Sequence, residues 1–159
     1  DPWAEANDSV DGNITEDINS SGLPDMNTLG SYEVYYSVQD AAGNEANITR
    51  TVNVINHAPT DLNLSTSSVW ENMPIGSLVS SFVVTDPDDP NYEKQYLFTV
   101  IETNQTDHQS FYIDNHGDLR TLEEFDYELQ SSASLLVEVT DEFNGTFQKE
   151  FKIHRFQRL

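Results

Sequence analysis

Cysteine is absent from all 159 residues. That excludes a disulfide-stapled scaffold, a zinc ribbon and thiol catalysis. Basic residues are almost as scarce, with 7 Lys plus Arg against 28 Asp plus Glu, a formal charge of -21, and none before Arg50. Such a surface repels bare nucleic acid and anionic membrane and excludes both as partners. No run approaches the roughly 18 consecutive apolar residues that a membrane span needs, so direct membrane insertion is not expected either. There is no charged-then-apolar leader, and any signal peptide is expected to lie outside this stretch. Catalytic signatures are missing too. His57, His108, His116 and His154 form no His-x-x-x-His pair, and neither Gly-x-Ser-x-Gly nor a phosphate-binding glycine loop occurs. Carboxylate pairs are so abundant that none of them singles out a glycosidase site. The expectation is that the chain is not an enzyme.

What is present is alternation. Tyr32, Val34, Tyr36 and Val38 share one strand face, with Ser31, Glu33, Tyr35 and Ser37 on the other. Ile48, Val52 and Val54 alternate with Thr49, Thr51 and Asn53; Leu135, Val137 and Val139 alternate with Leu136, Glu138 and Thr140. Phe147, Phe151 and Ile153 repeat the pattern. Turn signals separate the runs, among them Asp11-Gly12, Gly43-Asn44, His116-Gly117 and Asn144-Gly145. Residues 121–132 offer at most a turn or two of helix. The reading is all-β, with two tandem Greek-key β-sandwich domains. Asn56-His57-Ala58-Pro59 marks the boundary, since proline cannot donate to a ladder, which gives domains of 1–55 and 56–159.

From Asn56 onward the residues resemble a cadherin-like repeat. Trp70-Glu71-Asn72-Met73-Pro74-Ile75-Gly76 is similar to the family's Glu-Asn-x-Pro-x-Gly segment, and Thr85-Asp86-Pro87-Asp88-Asp89 to its Asp-x-Asp motif. Phe111-Tyr112-Ile113-Asp114 with Gly117-Asp118-Leu119, then Phe125-Asp126-Tyr127-Glu128, then Val139-Thr140-Asp141 with Asn144-Gly145 follow in the family's order. The resemblance implies Ca2+ as the bound ion. It implies Asp86, Asp88, Asp141 and Asn56 as ligands at the N-terminal junction, and Glu71, Asp126 and Glu128 at the C-terminal one. The linker departs from the family's Asp-x-Asn-Asp-Asn-x-Pro: Asn53 and Asn56 offer neutral oxygens and Ile55 none. Fewer ions or weaker binding are expected there, and solvated acidic turns without an ion remain the alternative at both ends. The basic C-terminus, with Arg155 and Arg158, is a further source of partners for Glu71, Asp126 and Glu128.

Residues 1–55 resemble a bacterial Ig-like repeat. Asp11-Gly12-Asn13-Ile14-Thr15, Gly30-Ser31-Tyr32-Glu33-Val34-Tyr35-Tyr36 and Asp40-Ala41-Ala42-Gly43-Asn44 carry the likeness. The repeat's first strand is missing, and either precedes residue 1 or comes from another chain. Asp8, Asp11 and Asp40 are read first as turn caps and second as an ion site.

The function these features imply is a non-catalytic extracellular adhesion or stalk segment of a larger cell-surface or secreted protein, rigidified by calcium at domain junctions. Its expected partners are neighbouring repeats of the same chain, with homophilic protein contacts or cell-surface glycans as further candidates. Two alternatives stand beside it: a carbohydrate-binding accessory module of a polysaccharide-degrading enzyme, and a strand-exchanging filament subunit. For the first, Trp3, Trp70, Tyr35, Tyr92 and Tyr96 are the candidate sugar-stacking rings, although packing is the expected role of each. Sequons at Asn7, Asn13, Asn19, Asn47, Asn63, Asn104 and Asn144 suit a glycoprotein.

Overall fold

The computed structural model describes residues 4–89, 94–104 and 107–158. Trp3 and Tyr92 lie outside them. The chain divides into two compact units, Asp1–Ile55 and Asn56–Leu159. Both are built from strands, as the alternation predicts. Among the described residues helix is limited to single 3-10 turns at Thr15–Asp17 and His108–Ser110, and residues 121–132 hold a turn but no helix.

In the first unit, β1 (Asn7–Asp8) pairs with β2 (Gly12–Asn13) in a small ribbon. A three-stranded antiparallel sheet follows in the order β3 (Asn19–Ser21), β4 (Gly30–Gln39), β5 (Glu45–Val54). The β4–β5 hairpin runs in register from Gly30↔Val54 to Gln39↔Glu45. Val34 and Tyr36, alternating on β4, are buried with Val54, and this is the whole buried apolar set of the unit among the described residues.

The second unit is a sandwich of two four-stranded sheets. One has the order β10 (Phe111–Ile113), β11 (Asp118–Thr121), β8 (Leu78–Thr85), β6 (Asp61–Leu64). The other has the order β7 (Ser68–Trp70), β13 (Thr146–Phe156), β12 (Ser132–Thr140), β9 (Leu97–Ile101). β6 and β7 are consecutive yet lie in different sheets, and β7 joins β13 in parallel while the other pairings are antiparallel. Leu135, Val137 and Val139 on β12 are fully buried, with Leu62, Leu119 and Ile153, whereas Leu136 and Glu138 between them are half-buried. Each such side chain contributes about 1.5–3 kcal/mol of burial. Phe82 stacks on Phe98 with ring centroids 4.7 Å apart.

The β10–β11 hairpin closes through Asp114. Its carboxylate accepts backbone N–H bonds from His116 (2.8 Å) and Asp118 (3.1 Å) and is paired with Arg120. Gly117 takes the left-handed φ of +81° that completes the turn. Arg120 then reaches the Gly76 carbonyl at 3.1 Å and ties the hairpin to the loop ahead of β8. The Arg120 guanidinium, followed by the Asp118 N–H, holds the Asp114 carboxyl at about 2 instead of the ordinary 3.8. A depressed carboxyl stabilises the fold fully above its unfolded value, and that contribution is lost as pH falls from about 4 towards 2. Arg120→Gln is therefore expected to raise the Asp114 pKa towards 3.8 in an NMR titration. The wild type should keep a steeper acid-unfolding limb between pH 4 and 2 than the variant.

Candidate functional site

At one end of the sandwich Glu71, Asp126 and Glu128 converge. Each offers a carboxylate oxygen, and the three oxygens lie within 4.8 Å of one another. Two oxygens sharing a calcium ion at about 2.4 Å each can be no more than about 4.8 Å apart, so this trio meets the geometric condition for one ion. The donor chemistry fits as well, because carboxylate oxygens are the ligands a hard divalent cation takes, and the trio supplies three of the roughly six to eight that calcium needs.

Packing holds the trio in place. Glu71 follows β7, and its backbone N–H bonds to the Phe156 carbonyl at 2.9 Å. The next residue, Asn72, adopts a φ of 57° and donates to the Phe125 carbonyl at 3.0 Å. Buried Thr121 takes the Gly76 N–H on its carbonyl and the Ser77 N–H on its hydroxyl, which fixes the far side of the same loop. Glu71 itself is 5% exposed. One of its oxygens accepts from the Tyr127 N–H at 3.0 Å and the other from the Arg158 N–H at 2.9 Å. Asp126 caps the turn at Leu129, and Glu128 accepts from the Gln157 side chain at 2.7 Å. The C-terminus thus reaches the acidic trio with the Arg158 backbone N–H and the Gln157 amide.

Arg155 does something the sequence did not signal. It is buried, its guanidinium lies 4.1 Å from the centre of the Phe125 ring, and it donates to the Gln130 carbonyl at 3.2 Å. Burial lowers its pKa. Placed between Phe125 and Gln130, it braces the segment that carries Asp126 and Glu128 from beneath.

The opposite end is arranged differently. Asp86, Asp88 and Asp141 do not converge to the distance of the first trio, and each is engaged in hydrogen bonds of its own. Asp86 accepts from the Asp88 N–H at 2.8 Å and from the Tyr96 hydroxyl at 3.2 Å. Tyr96 also bonds buried Asp89 at 3.1 Å, and its phenol pKa is raised by burial and by these two carboxylates. Asp88 is paired with the His57 ring at 3.0 Å and takes the His57 N–H. That backbone bond leads the causes that hold its carboxyl below the usual range. Asp141 accepts from the Phe143 and Gly145 N–H groups and from the Asn56 side-chain amide at 2.8 Å. A Cβ at residue 145 would run into Asp141 and Ala58, so only glycine lets this turn close on the linker. Lys94 pairs with Glu142 at 3.1 Å and adds positive charge near Asp86 and Asp88. Tyr96, Asp89 and Lys94 are the residues that sequence reasoning did not assign here. The acidic surroundings of Asp86 were the only signal that could have drawn them in.

In the first unit Asp8 accepts the Val10 and Asp11 N–H groups, Asp11 the Ala41 N–H, and Asp40 the Asn44 N–H. Asp8 and Asp40 cap their own turns while Asp11 reaches across to Ala41, and the three bring one oxygen each within 4.8 Å of one another. Of the described aromatics, Trp70 packs on Phe156 with centroids 5.5 Å apart, and the Tyr35 hydroxyl bonds Glu33 at 2.6 Å.

Residues 65–153, more than half of the chain, match the family model of the cadherin domain. The chain belongs to the cadherin-domain family. Ahead of the cadherin domain, residues 1–54 match the bacterial surface protein Ig-like domain. Protocadherin Fat 4 of Mus musculus is 30% identical over 132 residues, covering 80% of this chain and 3% of that protein. Cadherin-5 of Bos taurus is 32% identical over 145 residues, covering 79% of this chain and 18% of that protein. The chain therefore spans a small part of the curated relatives it matches. Human Protocadherin-24 EC1-2 shares the fold at a TM-score of 0.50 and 19% identity, over 84% of this chain and 69% of that one. Protocadherin Gamma B2 extracellular cadherin domains 1-5 do so at 0.50 and 17%, over 87% and 30%.

Proposed function

We propose that this chain is a non-catalytic, extracellular adhesion or stalk segment of a larger cell-surface or secreted protein, divided at residues 55 and 56 into an Ig-like and a cadherin domain. In this reading Ca2+ orders the ends of the cadherin domain. The convergence of Glu71, Asp126 and Glu128 carries the proposal. A bound cation would neutralise three carboxylates that otherwise repel one another, and would lock the Glu71 loop to the Phe125–Glu128 segment. Asp86, Asp88, Asp141 and Asn56 would form a second, weaker site, because an ion there must replace the His57, Tyr96 and Asn56 bonds now made to those carboxylates.

Calcium titration followed by thermal unfolding tests this. A ligand that binds only the folded state adds about 2.7 kcal/mol at a concentration one hundred times its Kd. The cadherin-domain transition should rise with calcium and return on chelation. Glu128→Gln, an exposed substitution, should leave the chelated midpoint within about 0.5 kcal/mol of wild type and remove most of the calcium response. A midpoint indifferent to calcium in the wild-type chain would overturn the reading.

A further inference from the structure

Arg155 stands where the fold expects an apolar residue. Phe151, Ile153 and Arg155 are the successive buried positions of β13, with exposed Lys152 and His154 between them. A guanidinium there has to give up its water, and replacing a buried charge by an apolar side chain of similar volume is often neutral or stabilising. Among the described residues Arg155 forms no salt bridge, and its Nε is buried without a hydrogen-bond partner. Stability alone therefore does not account for it.

What it touches is one loop. Its guanidinium covers the ring of Phe125, the residue before Asp126, at 4.1 Å from the centre. Its Nη1 donates to the Gln130 carbonyl at 3.2 Å and to the Gln130 amide oxygen at 3.4 Å, and its backbone N–H bonds the Ser131 carbonyl at 2.9 Å. Gln130 in turn donates its N–H to the Asp126 carbonyl at 3.1 Å. Arg155 thus grips both flanks of the segment that presents Asp126 and Glu128, whose own side chains are exposed. The Phe125 carbonyl accepts the Asn72 N–H at 3.0 Å, so the same grip extends to the loop of Glu71.

We propose that Arg155 is a positioning residue for the cation site of Glu71, Asp126 and Glu128: without being a ligand, it holds the three carboxylates convergent before an ion arrives. The inference rests on the calcium reading above. Carboxylates on a loose loop spread apart under their mutual repulsion, and an ion that has to gather them binds more weakly. Held from beneath, they bind without that reorganisation.

The sign of the effect separates this role from two others. As a charge near the site and nothing more, Arg155 would repel calcium, and its removal would tighten binding. As a packing element and nothing more, it would move the unfolding midpoint and leave the calcium dissociation constant alone. As a positioning residue, its removal weakens calcium binding in a domain that is still folded.

The test is titration calorimetry of the full chain with calcium chloride, at a temperature where far-UV dichroism shows each variant folded. Glu128→Gln identifies the heat that belongs to the trio, as distinct from the Asp86 end. Arg155→Met should weaken the trio's Kd by about tenfold, with the midpoint in chelator close to wild type. Arg155→Lys keeps the charge and one donor but not the planar fork, and should fall between the two. An unchanged or tighter Kd in Arg155→Met would overturn the proposal. If that variant fails to fold, Arg155→Lys decides in its place, and wild-type affinity there would overturn it. A wild-type chain that takes up no calcium would remove the calcium reading and this inference together. Calcium uptake that is indifferent to Arg155 would remove the inference alone.

Discussion

Glu71→Ala is expected to lower the stability of the cadherin domain by about 2–4 kcal/mol in the absence of calcium, and to remove most of its response to calcium. Glu71 is the one buried member of the acidic trio. Its two oxygens are the acceptors for the Tyr127 and Arg158 N–H groups. Truncation leaves both donors without that acceptor, and a buried donor deprived of its partner costs about 1–3 kcal/mol. Glu71→Gln keeps one acceptor oxygen but turns an amide N–H towards a backbone N–H, so its loss should be intermediate. Denaturant unfolding with and without calcium separates the two effects. A Glu71→Ala chain that unfolds at the wild-type midpoint in chelator would show that the loop between β7 and β8 is organised without the carboxylate. A chain that is destabilised yet keeps the full wild-type calcium response would place the ion elsewhere.

The strands were legible because burial on one face imposes a period of two, and β12 shows it without exception: Ala133, Leu135, Val137 and Val139 are buried, and the residues between them are half-buried. The same reasoning placed Ile48 inside, and there the pattern ran ahead of the structure. Alternation records which way a side chain points, not whether anything lies across from it, and of the β5 residues only Val54 is buried. The acidic trio was legible only through resemblance. Glu71 and Asp126 are separated by 54 residues of chain, and nothing in composition or spacing links one carboxylate among 28 to another. Resemblance alone did not foresee how the opposite end is satisfied. Aspartates two apart around a turn can aim at a common centre, but they can equally accept the N–H groups of their own turn, and Asp86 and Asp141 do so. Arg155 was hidden for another reason. The basic C-terminal run reads as a partner for the acidic trio, whereas the Arg155 guanidinium is buried over the Phe125 ring and bonds the Gln130 carbonyl.

Leu135→Ala is expected to cost about 2–5 kcal/mol. Leu135 is fully buried at the centre of β12, opposite Phe151 on β13, and the cavity it would leave is walled by paired strands that cannot collapse into it. For a unit of this size the loss corresponds to a fall in midpoint of roughly 10–20 °C. The shift should appear in one transition only, because the buried apolar residues are divided unequally. The second unit packs thirteen of them into one cluster, while the first has Val34, Tyr36 and Val54. The first unit should therefore melt earlier, and a single two-state midpoint would misdescribe the chain. Calorimetry of wild type and Leu135→Ala resolves this. The upper transition should move down towards the lower, which should keep its place. If both moved together, the two units would be unfolding as one cooperative body. The first unit would then have to be stabilised by something other than its own small core.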